Sequence, residues 1–410
     1  MKRLLAFALV VASCSSTVTV TPTSPAPIVT SAATSTVTSA PTAAPLPSAA
    51  AGGIEVFATG ALHGTFAWVV REEVASQDRV TESLYAVPLD GATSKLVIRR
   101  VRPRAGAVVG GYATTHIVVD RQLTRDGTRL VLEQANLGVA AHDGLVVVDI
   151  AAGTIGEIAR GDQRNDVMPA WSPDGKRIAY ARRVPGATPI ALDDGLWLID
   201  AGGGAARQVQ PPATQAQVTY VFGWTADSAG VAFGLAFEGL GYSVLDLATG
   251  AVTGPNGVSF GLAPASWRIK TPQFAAAFSE GDKGGEQRIQ IADGIGTPLR
   301  TLVRESGGIG TDPLFLNARW SPAGDEILYI RSSREGKIFR VPAAGGTPVA
   351  VPMTGQPFRA EWLPDGRIAY ITVQNGLGAV LHYIDGTKET TLFKFDGGAS
   401  FTDLGIRTYP

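Results

Sequence analysis

The chain has 410 residues, of which 45% are hydrophobic and 17% are charged, and its formal net charge at pH 7 is −1. A chain of this length can bury a large core, and its near-neutral charge gives no support for nucleic-acid binding. Cys14 is the single cysteine of the sequence, which excludes a disulfide within the chain. We therefore expect a folded protein whose partners are not nucleic acids.

Residues 1–14 have the pattern of an export signal. Lys2 and Arg3 give a positive start, residues 4–11 form an apolar run too short to span a bilayer, and the tetrapeptide Val-Ala-Ser-Cys ends at Cys14. This pattern resembles a bacterial lipoprotein signal with its lipobox, which implies that Cys14 is acylated and becomes the first residue of the mature protein. An ordinary secretory signal with an incidental cysteine is the alternative.

Residues 15–53 consist almost wholly of Ser, Thr, Ala, Pro and Val and carry no charge. Such a composition cannot bury a core, and its prolines favour an extended chain. We predict a tether that holds the folded domain at least about 35 Å from the membrane. By analogy with lipoproteins of Gram-negative bacteria, Ser15 in place of an aspartate favours the outer membrane, with the protein on its periplasmic face or on the cell surface.

From Ile54 onward the pattern is β, and residues 168–181, MPAWSPDGKRIAYA, predict a strand, a tight turn and a second strand. Pro173 presets φ for the turn, Asp174 can bond to the turn backbone, and Gly175 takes the positive φ that closes the hairpin. One such hairpin is only marginally stable in water, so the chain has to repeat it. Weaker copies begin at Arg125, Trp224, Trp320 and Trp362.

A second unit, an alternating strand followed by a turn and another strand, also recurs along the chain. Its copies begin at Leu84, Leu145, Leu196, Tyr242, Ile289, Ile338 and Leu381. We interpret the first unit as the inner hairpin and the second unit as the outer hairpin of a four-stranded blade. The repeat therefore predicts one all-β propeller over residues 54–410, without substantial helix.

Seven blades are favoured, with six as the alternative. The inner hairpins around residues 66–71 and 274–279 lack the proline turn, and the number falls to six if either is an insertion. Closure of the ring needs the chain ends to meet, because an unpaired edge strand invites aggregation. Residues 54–58 and residues 401–408 are both candidates for the closing strand.

The string W-S-P-D-G-K-R-I-A-Y and its weaker copies resemble the propeller repeat of TolB-like proteins, which also occurs in the propellers of prolyl-oligopeptidase-type enzymes. The resemblance covers most of the chain after about Gly53. It implies a propeller, usually of six blades in that family, and a channel mouth that receives a partner. It is specific for the fold and weak for function, because such propellers host many unrelated activities.

The resemblance also indicates where a partner would bind. In the family, the segments that link each outer strand to the next blade line the channel mouth. Polar residues beside an exposed Phe suit recognition of a protein or a glycan. In this chain the candidate binding residues are Arg164, Asn165, Asp166, Thr311, Asp312, Gln356, Phe358 and Arg359.

Signals for catalysis or metal binding are weak. Residues 257–261 match G-x-S-x-G but lie in a Gly/Pro-rich connection, not between a strand and a helix. The Asp193-Asp194-Gly195 stretch is too short for a calcium loop and is interpreted as a turn. Four dispersed histidines, without a local carboxylate partner, are expected in loops or at strand ends: His63, His116, His142 and His382. One basic run is interpreted as a solvated loop: Arg99, Arg100, Arg102 and Arg104.

These observations favour a monomeric, non-catalytic envelope lipoprotein whose propeller binds an envelope protein or glycan, with no metal and no cofactor. A carbohydrate-binding or carbohydrate-active, lyase-like propeller is the alternative, since related propellers occur in such enzymes. A lyase of this kind would need a metal-binding histidine cluster around the channel. A purely structural scaffold is the third hypothesis.

Overall fold

A computed structural model describes residues 53–77, 79–103, 116–134, 144–159, 164–184, 192–211, 218–236, 242–254, 266–267, 271–280, 285–294, 297–307, 314–332, 336–374, 378–396 and 400–410. In this part of the chain the strands form seven antiparallel sheets, which are the blades of a propeller. The predicted all-β fold with seven blades is therefore confirmed. Within the same ranges, no helix is long and apolar enough to cross a membrane.

Blades 1 and 2 depart from the four-stranded pattern. Blade 1 has five strands, namely β1 (Ile54–Val56), β2 (Gly64–Val74), β3 (Arg79–Pro88), β4 (Lys95–Pro103) and β28 (Ser400–Tyr409). Blade 2 has three strands and one short helix at the position of its innermost strand, namely α1 (Val119–Gln122), β5 (Arg129–Glu133), β6 (Leu145–Asp149) and β7 (Thr154–Ala159). A single bridge between Leu123 and Leu130 joins the segment after α1 to β5.

Blades 3 to 7 each have four strands in chain order from the axis outward. Blade 3 contains β8 (Asn165–Trp171), β9 (Arg177–Val184), β10 (Leu192–Asp200) and β11 (Arg207–Gln210). Blade 4 contains β12 (Val218–Trp224), β13 (Gly230–Ala236), β14 (Ser243–Asp246) and β15 (Val252–Thr253). Blade 5 contains β16 (Ser266–Trp267), β17 (Gln273–Glu280), β18 (Glu286–Asp293) and β19 (Pro298–Ser306).

The last two blades complete the ring. Blade 6 contains β20 (Leu314–Trp320), β21 (Glu326–Ser332), β22 (Lys337–Pro342) and β23 (Val349–Ala350). Blade 7 contains β24 (Pro357–Trp362), β25 (Ile368–Gln374), β26 (Gly378–Asp385) and β27 (Lys388–Asp396). The two recurring sequence units are the inner and outer hairpins of these blades, as predicted.

Both chain ends of the described region join blade 1. Strand β28 pairs with β2 from Gly64–Tyr409 to Glu72–Ser400, so the innermost strand of blade 1 comes from the C-terminal end. Strand β1 pairs with β4 on the outer edge of the same sheet. The inner hairpin of blade 1 thus lacks a proline turn because its two strands come from opposite ends of the chain. Both predicted closing segments are used, and the six-blade alternative is wrong.

The W-S-P-D-G turn between β8 and β9 stabilises itself. Ser172 Oγ donates to Asp174 Oδ1 at 2.6 Å, and the Lys176 backbone N–H donates to the same oxygen at 3.1 Å. Gly175 has a φ of 67°, which favours glycine. The expectation that Asp174 stabilises its own turn is therefore confirmed. The same hydroxyl-to-carboxylate contact recurs at Thr124–Asp126, Thr225–Asp227 and Ser321–Asp325.

In two of the blades, an arginine contacts the tight turn and the tryptophan of the next blade. The Arg129 guanidinium of blade 2 lies 4.7 Å from the ring centroid of the buried Trp171 and donates to Gly175 O at 3.0 Å. Arg177 of blade 3 repeats this contact on Trp224 of blade 4, at 4.9 Å. A cation over a desolvated indole face is stabilising. The repeated tryptophan is therefore a contact between blades.

The hydrophobic core is divided among the interfaces between neighbouring blades. In the described residues, one buried cluster joins blades 2 and 3 and includes Val131, Trp171 and Tyr180. Another joins blades 4 and 5 through aromatic rings, with the Tyr242 and Phe274 centroids 4.6 Å apart in a tilted arrangement. Further clusters lie between the other neighbouring pairs. Each blade is therefore stabilised mainly by its two neighbours.

We predict that Tyr409→Ala lowers the free energy of unfolding by about 3–5 kcal/mol, the usual cost of truncating a buried aromatic side chain. The Tyr409 ring packs edge-to-face on Phe66 at 5.6 Å, and its hydroxyl donates to Gly127 O of blade 2 at 3.1 Å. Thr408→Ala, next to it but exposed, is the control and should change the value by less than about 0.5 kcal/mol. Urea unfolding measures both, and equal values would contradict the closure role of Tyr409.

Candidate functional site

The innermost segments of the blades surround the propeller axis: α1, β8, β12, β16, β20, β24 and β28. We call the end where β8 and β24 begin the connecting face, because segments from the preceding blades enter there. We call the opposite end, where Trp171 and Trp362 precede the tight turns, the turn face. Candidate residues lie at both ends, and each group is described from its contacts.

Phe358 and Arg359 form a rigid pair at the connecting face. The register of β24 shifts between Pro357 and Arg359, and such a bulge re-aims a side chain. Phe358 is 36% exposed there, and the Arg359 guanidinium lies 4.7 Å from its ring centroid. Arg359 Nε also donates to Asp403 Oδ1 at 3.3 Å, across the blade interface. The predicted exposed Phe is thus held in place by its neighbour, and Gln356 is exposed beside it.

The buried Asp403 carboxylate organises the channel beneath this pair. Its Oδ2 accepts a hydrogen bond from the Val119 backbone N–H at 2.6 Å. Burial raises the pKa of Asp403, and the Arg359 guanidinium opposes that shift. The carboxylate therefore joins β28, α1 and β24 at the axis.

Two other candidate residues are buried inside blade 3. Asn165 and Asp166 begin β8 and are not solvated loop residues. Asp166 Oδ1 accepts from Arg182 Nε at 2.6 Å, and Arg182 stacks on the Trp197 ring at 4.1 Å. Burial raises the pKa of Asp166 against the opposing effect of Arg182. Asp166 therefore stabilises blade 3, because its loss would leave the buried Arg182 guanidinium without its carboxylate partner.

The remaining candidate residues divide between the surface and undescribed positions. Arg164 is partly exposed and forms an ion pair with Asp194. Asp194 lies in β10, where the register shifts between Asp193 and Leu196, so this stretch is a bulge in a strand and not the predicted turn. Thr311 and Asp312 lie outside the described residues, as does the G-x-S-x-G match at 257–261.

The basic run is largely buried, contrary to the prediction of a solvated loop. Arg100 and Arg102 point to the same face of β4 and are both buried, whereas Arg99 is exposed and pairs with Glu55 at 3.3 Å. Arg100 Nε donates to Glu82 Oε2 at 2.6 Å. The spacing of two along a strand was the available signal, since residues i and i+2 share a face. Arg104 lies outside the described residues.

His116 also has carboxylate partners, which corrects the expectation that it has none. Its Nδ1 lies 3.1 Å from Glu72 Oε2 and 3.7 Å from Glu82 Oε1. These two carboxylates raise the pKa of His116 to about 9, although burial and Arg102 oppose the shift. The pKa of Glu82 falls to about 2 despite its burial, chiefly because Arg100 lies beside it.

Ligand atoms of Glu72, Glu82 and His116 lie within 4.8 Å of one another, a spacing that could hold a metal ion. The surrounding charges do not fit one. Arg102 contacts Glu72, and its Nη2 lies 2.7 Å from His116 Nδ1, where a metal would bind. Two guanidiniums already neutralise both carboxylates, and metal-bound histidine must be unprotonated. The group is better described as a buried ion-pair network that joins blade 1 to the segment before α1.

The other histidines have mixed outcomes. His382 is buried in β26, with Nδ1 3.1 Å from Glu389 Oε1 and its ring stacked on Tyr370, so the expectation of no carboxylate partner is wrong for it too. Burial lowers the pKa of His382. His63 is an exposed residue directly before β2, as expected, and contacts Pro410 O at 2.9 Å. His142 lies outside the described residues.

A charged cluster at the turn face of the channel was missed by sequence reasoning. Arg319 contacts Glu361, and its Nη2 lies 3.2 Å from Asp120 Oδ2, while Arg407 Nη1 reaches Asp120 Oδ1 at 3.4 Å. Burial raises the pKa of Glu361, and the Arg319 guanidinium beside it opposes that shift. Arg319 and Glu361 each directly precede an inner-strand tryptophan. Adjacent strand residues point to opposite faces, so a charge before that tryptophan was the signal for a channel residue.

No known family model matches the chain, and no curated protein matches it significantly. Among solved structures, a prolyl endopeptidase is similar with a TM-score of 0.53 and 12% identity over 85% of this chain, which spans 50% of that protein. A periplasmic gluconolactonase from Pseudomonas aeruginosa is similar with a TM-score of 0.51 and 13% identity, over 84% of this chain and 100% of that one.

TolB from Acinetobacter baumannii is similar with a TM-score of 0.41 and 13% identity, over 83% of this chain and 67% of that one. At such identities the likeness concerns the fold alone. The predicted resemblance to TolB-like propellers is confirmed at that level. Propellers host many unrelated activities, so the fold does not choose among functions.

We predict that His116 makes the stability of the protein pH-dependent. Its folded-state pKa of about 9 lies above its unfolded value of about 6.5. Its contribution is therefore complete below about pH 6.5 and is lost as the pH rises through about 9. The difference in free energy of unfolding between wild type and His116→Asn should shrink over this interval. A difference that stays constant with pH would show that Arg102 donates to a neutral imidazole instead.

We predict that Asp166→Ala lowers the free energy of unfolding by about 3–5 kcal/mol, because the buried Arg182 loses its partner. Arg164→Ala removes a partly exposed ion pair from the same blade and should cost at most about 1 kcal/mol. Chemical denaturation of both variants measures the contrast. Equal losses would contradict the distinction between a buried pair and a surface pair.

Proposed function

We propose that this protein is an exported, membrane-anchored lipoprotein whose propeller binds an envelope protein or glycan at the connecting face without catalysis. The observation that carries this proposal is the Phe358–Arg359 pair. An exposed aromatic ring with a stacked arginine at the mouth of a channel is the kind of residue pair that dominates binding energies at interfaces.

The contacts of this pair make it a preorganised binding surface. Arg359 is tied to Asp403, and Asp403 is tied to the backbone of α1, so the arginine is already ordered before a partner arrives. Ordering a side chain on binding costs about 0.5–1.5 kcal/mol, and a fixed pair avoids most of this cost. The mouth can therefore bind tightly through a small number of residues.

The charges along the channel support binding over acid–base chemistry. Arg319 contacts Glu361 and Asp120, and Arg359 pairs with Asp403. These groups are engaged with one another across blade interfaces, where they position the inner strands. A general base must be free to accept a substrate proton, whereas each of these carboxylates is already paired with a guanidinium. We therefore assign these ion pairs a positioning role and not a catalytic one.

The predicted lipid anchor would place this binding surface near a membrane. Acylation at Cys14 would attach the chain to a membrane, and residues 15–53 would act as the tether. A flexible chain of that length reaches at least about 35 Å, so the propeller could search for a partner while it remains attached.

We predict that Cys14→Ser moves the protein from the membrane fraction to the soluble fraction while the propeller stays folded. The reason is that Cys14 precedes the predicted tether and is not among the residues that form the described blades. Fractionation with a high-salt wash, followed by a melting curve of the released protein, measures both properties. Continued sedimentation with membranes after the wash would contradict lipid anchoring at this cysteine.

We predict that Phe358→Ala lowers capture of the native partner at least about 10-fold in pull-down from the native envelope, with little change in melting temperature. Phe57→Ala is a matched control, because Phe57 is 37% exposed and lies 5.8 Å from the Arg99 guanidinium, but follows β1 at the outer edge of blade 1. It should retain full capture. Equal behaviour of the two variants would contradict binding at the channel mouth.

A further inference from the structure

The turn face of the channel contains a cavity of about 360 Å³ that the proposed partner surface does not use. Its walls include the rings of Trp171, Phe222, Trp224 and Trp362, together with charged side chains from α1, β20, β24 and β28. Small-molecule sites have this make-up, since apolar walls and a few fixed polar groups give affinity and orientation. The cavity is near the lower end of the size range for such sites, about 300–1,000 Å³.

Arg121 is the unusual residue of this cavity. It is only 8% exposed, and its Nη1 donates to Val221 O at 2.7 Å. Within the described part of the chain its Nε has no hydrogen-bond partner. Burial lowers the pKa of Arg121 to about 10, against the more distant carboxylates of Glu133 and Asp403. Those two carboxylates already accept the backbone N–H groups of Met168 and Val119.

The charges that line the cavity do not balance. Arg319 and Arg407 are compensated by Glu361 and Asp120. The two other lining arginines, Arg121 and Arg125, form no ion pair with a carboxylate among the described residues. Four arginines against two acids leave a formal charge of 4 − 2 = +2. The carboxylates of Glu133 and Asp403 offset part of the Arg121 charge, but neither lines the cavity. A buried guanidinium that forms no ion pair is unfavourable, so an anion that enters the cavity would stabilise the site.

We propose that the turn-face cavity is a binding site for a carboxylate-bearing ligand, which pairs with Arg121 inside the cavity and with Arg125 at its rim. A guanidinium matches the planar carboxylate with two parallel hydrogen bonds, which an ammonium cannot do. The tryptophan and phenylalanine walls accept the body of the ligand. This site lies at the opposite end of the inner strands from Phe358, so it is independent of the proposed partner surface.

The carboxylate could belong to the C-terminal residue of a peptide or to a uronic acid, and two probe pairs distinguish these sources. The first pair is the dipeptide glycyl-phenylalanine and its C-terminal amide. The second pair is glucuronate and glucose. We expect calorimetric titration of the full chain to show saturable binding of at least one carboxylate probe and none of its uncharged counterpart.

Variants test the residues. Arg121→Lys keeps the charge but loses the planar fork, and it should weaken binding at least about 10-fold. Arg125→Gln at the exposed rim should weaken binding less, by about 2- to 5-fold. Arg340→Gln is the control, because Arg340 is a partly exposed cation of β22 that pairs with Glu326 and lies outside the cavity. Phe358→Ala should also leave carboxylate binding unchanged, which separates this proposal from the proposed function.

A stability measurement distinguishes a ligand-binding role of Arg121 from a purely structural one. If Arg121 serves a ligand and not the interface between blades, Arg121→Met should melt at or above the wild-type temperature without ligand, because an apolar side chain of similar length removes a buried charge that forms no ion pair. It should also abolish stabilisation by the carboxylate probe that binds the wild type. The proposal is overturned if no carboxylate probe binds, if Arg121→Lys binds as well as the wild type, or if Arg121→Met melts well below it.

Discussion

The ladder between β28 and β2 is the constraint on which the rest of the propeller depends. Each blade buries its apolar faces against two neighbours, so a ring with one blade incomplete exposes two interfaces at once. The same ladder leaves no free edge on β2, where an unpaired strand would favour aggregation. It also brings Asp403 and Arg407 to the axis, where they contact α1. The strand pairing that closes the ring therefore also places the side chains that line the channel.

Between two pairs of neighbouring blades, the recurring contact is an arginine that stacks on a tryptophan of the next blade. Trp171 and Trp224 each receive the guanidinium of the preceding blade, and Arg129 and Arg177 also bond to the neighbouring turn. The Ser-Pro-Asp-Gly turn satisfies its own polar groups. The most recognisable residues of the sequence thus have structural roles. Residues that differ from blade to blade are where a specific function can reside.

The fold was predictable because its signals are local: a proline turn, an alternating strand and a period of one blade. The ion-pair networks were not, because they depend on register between distant strands. Arg100 meets Glu82 only because β3 and β4 pair in that register, and His116 reaches Glu72 from the next blade. The same limit applies to Asp166, which looked like a loop residue until β9 placed Arg182 against it. The alternation of residues along β4 indicated that Arg100 and Arg102 share a face, but the sequence did not indicate their carboxylate partners.

The replacement of an inner strand by α1 is what makes the channel of this propeller distinctive. A regular first strand in blade 2 would be held by a ladder. Here the Leu123–Leu130 bridge is joined by side-chain contacts, such as the bond from the Val119 N–H to Asp403 and the ion pairs of Asp120. The short helix places Asp120 and Arg121 side by side at the axis. Asp120 is paired with Arg319 and Arg407, whereas Arg121 forms no ion pair with a carboxylate of the cavity wall. A departure from a repeat that also leaves a charge uncompensated costs stability, and such departures concentrate where a protein binds something. The local break in blade 2 and the unbalanced charge of the turn-face cavity therefore have a single structural origin.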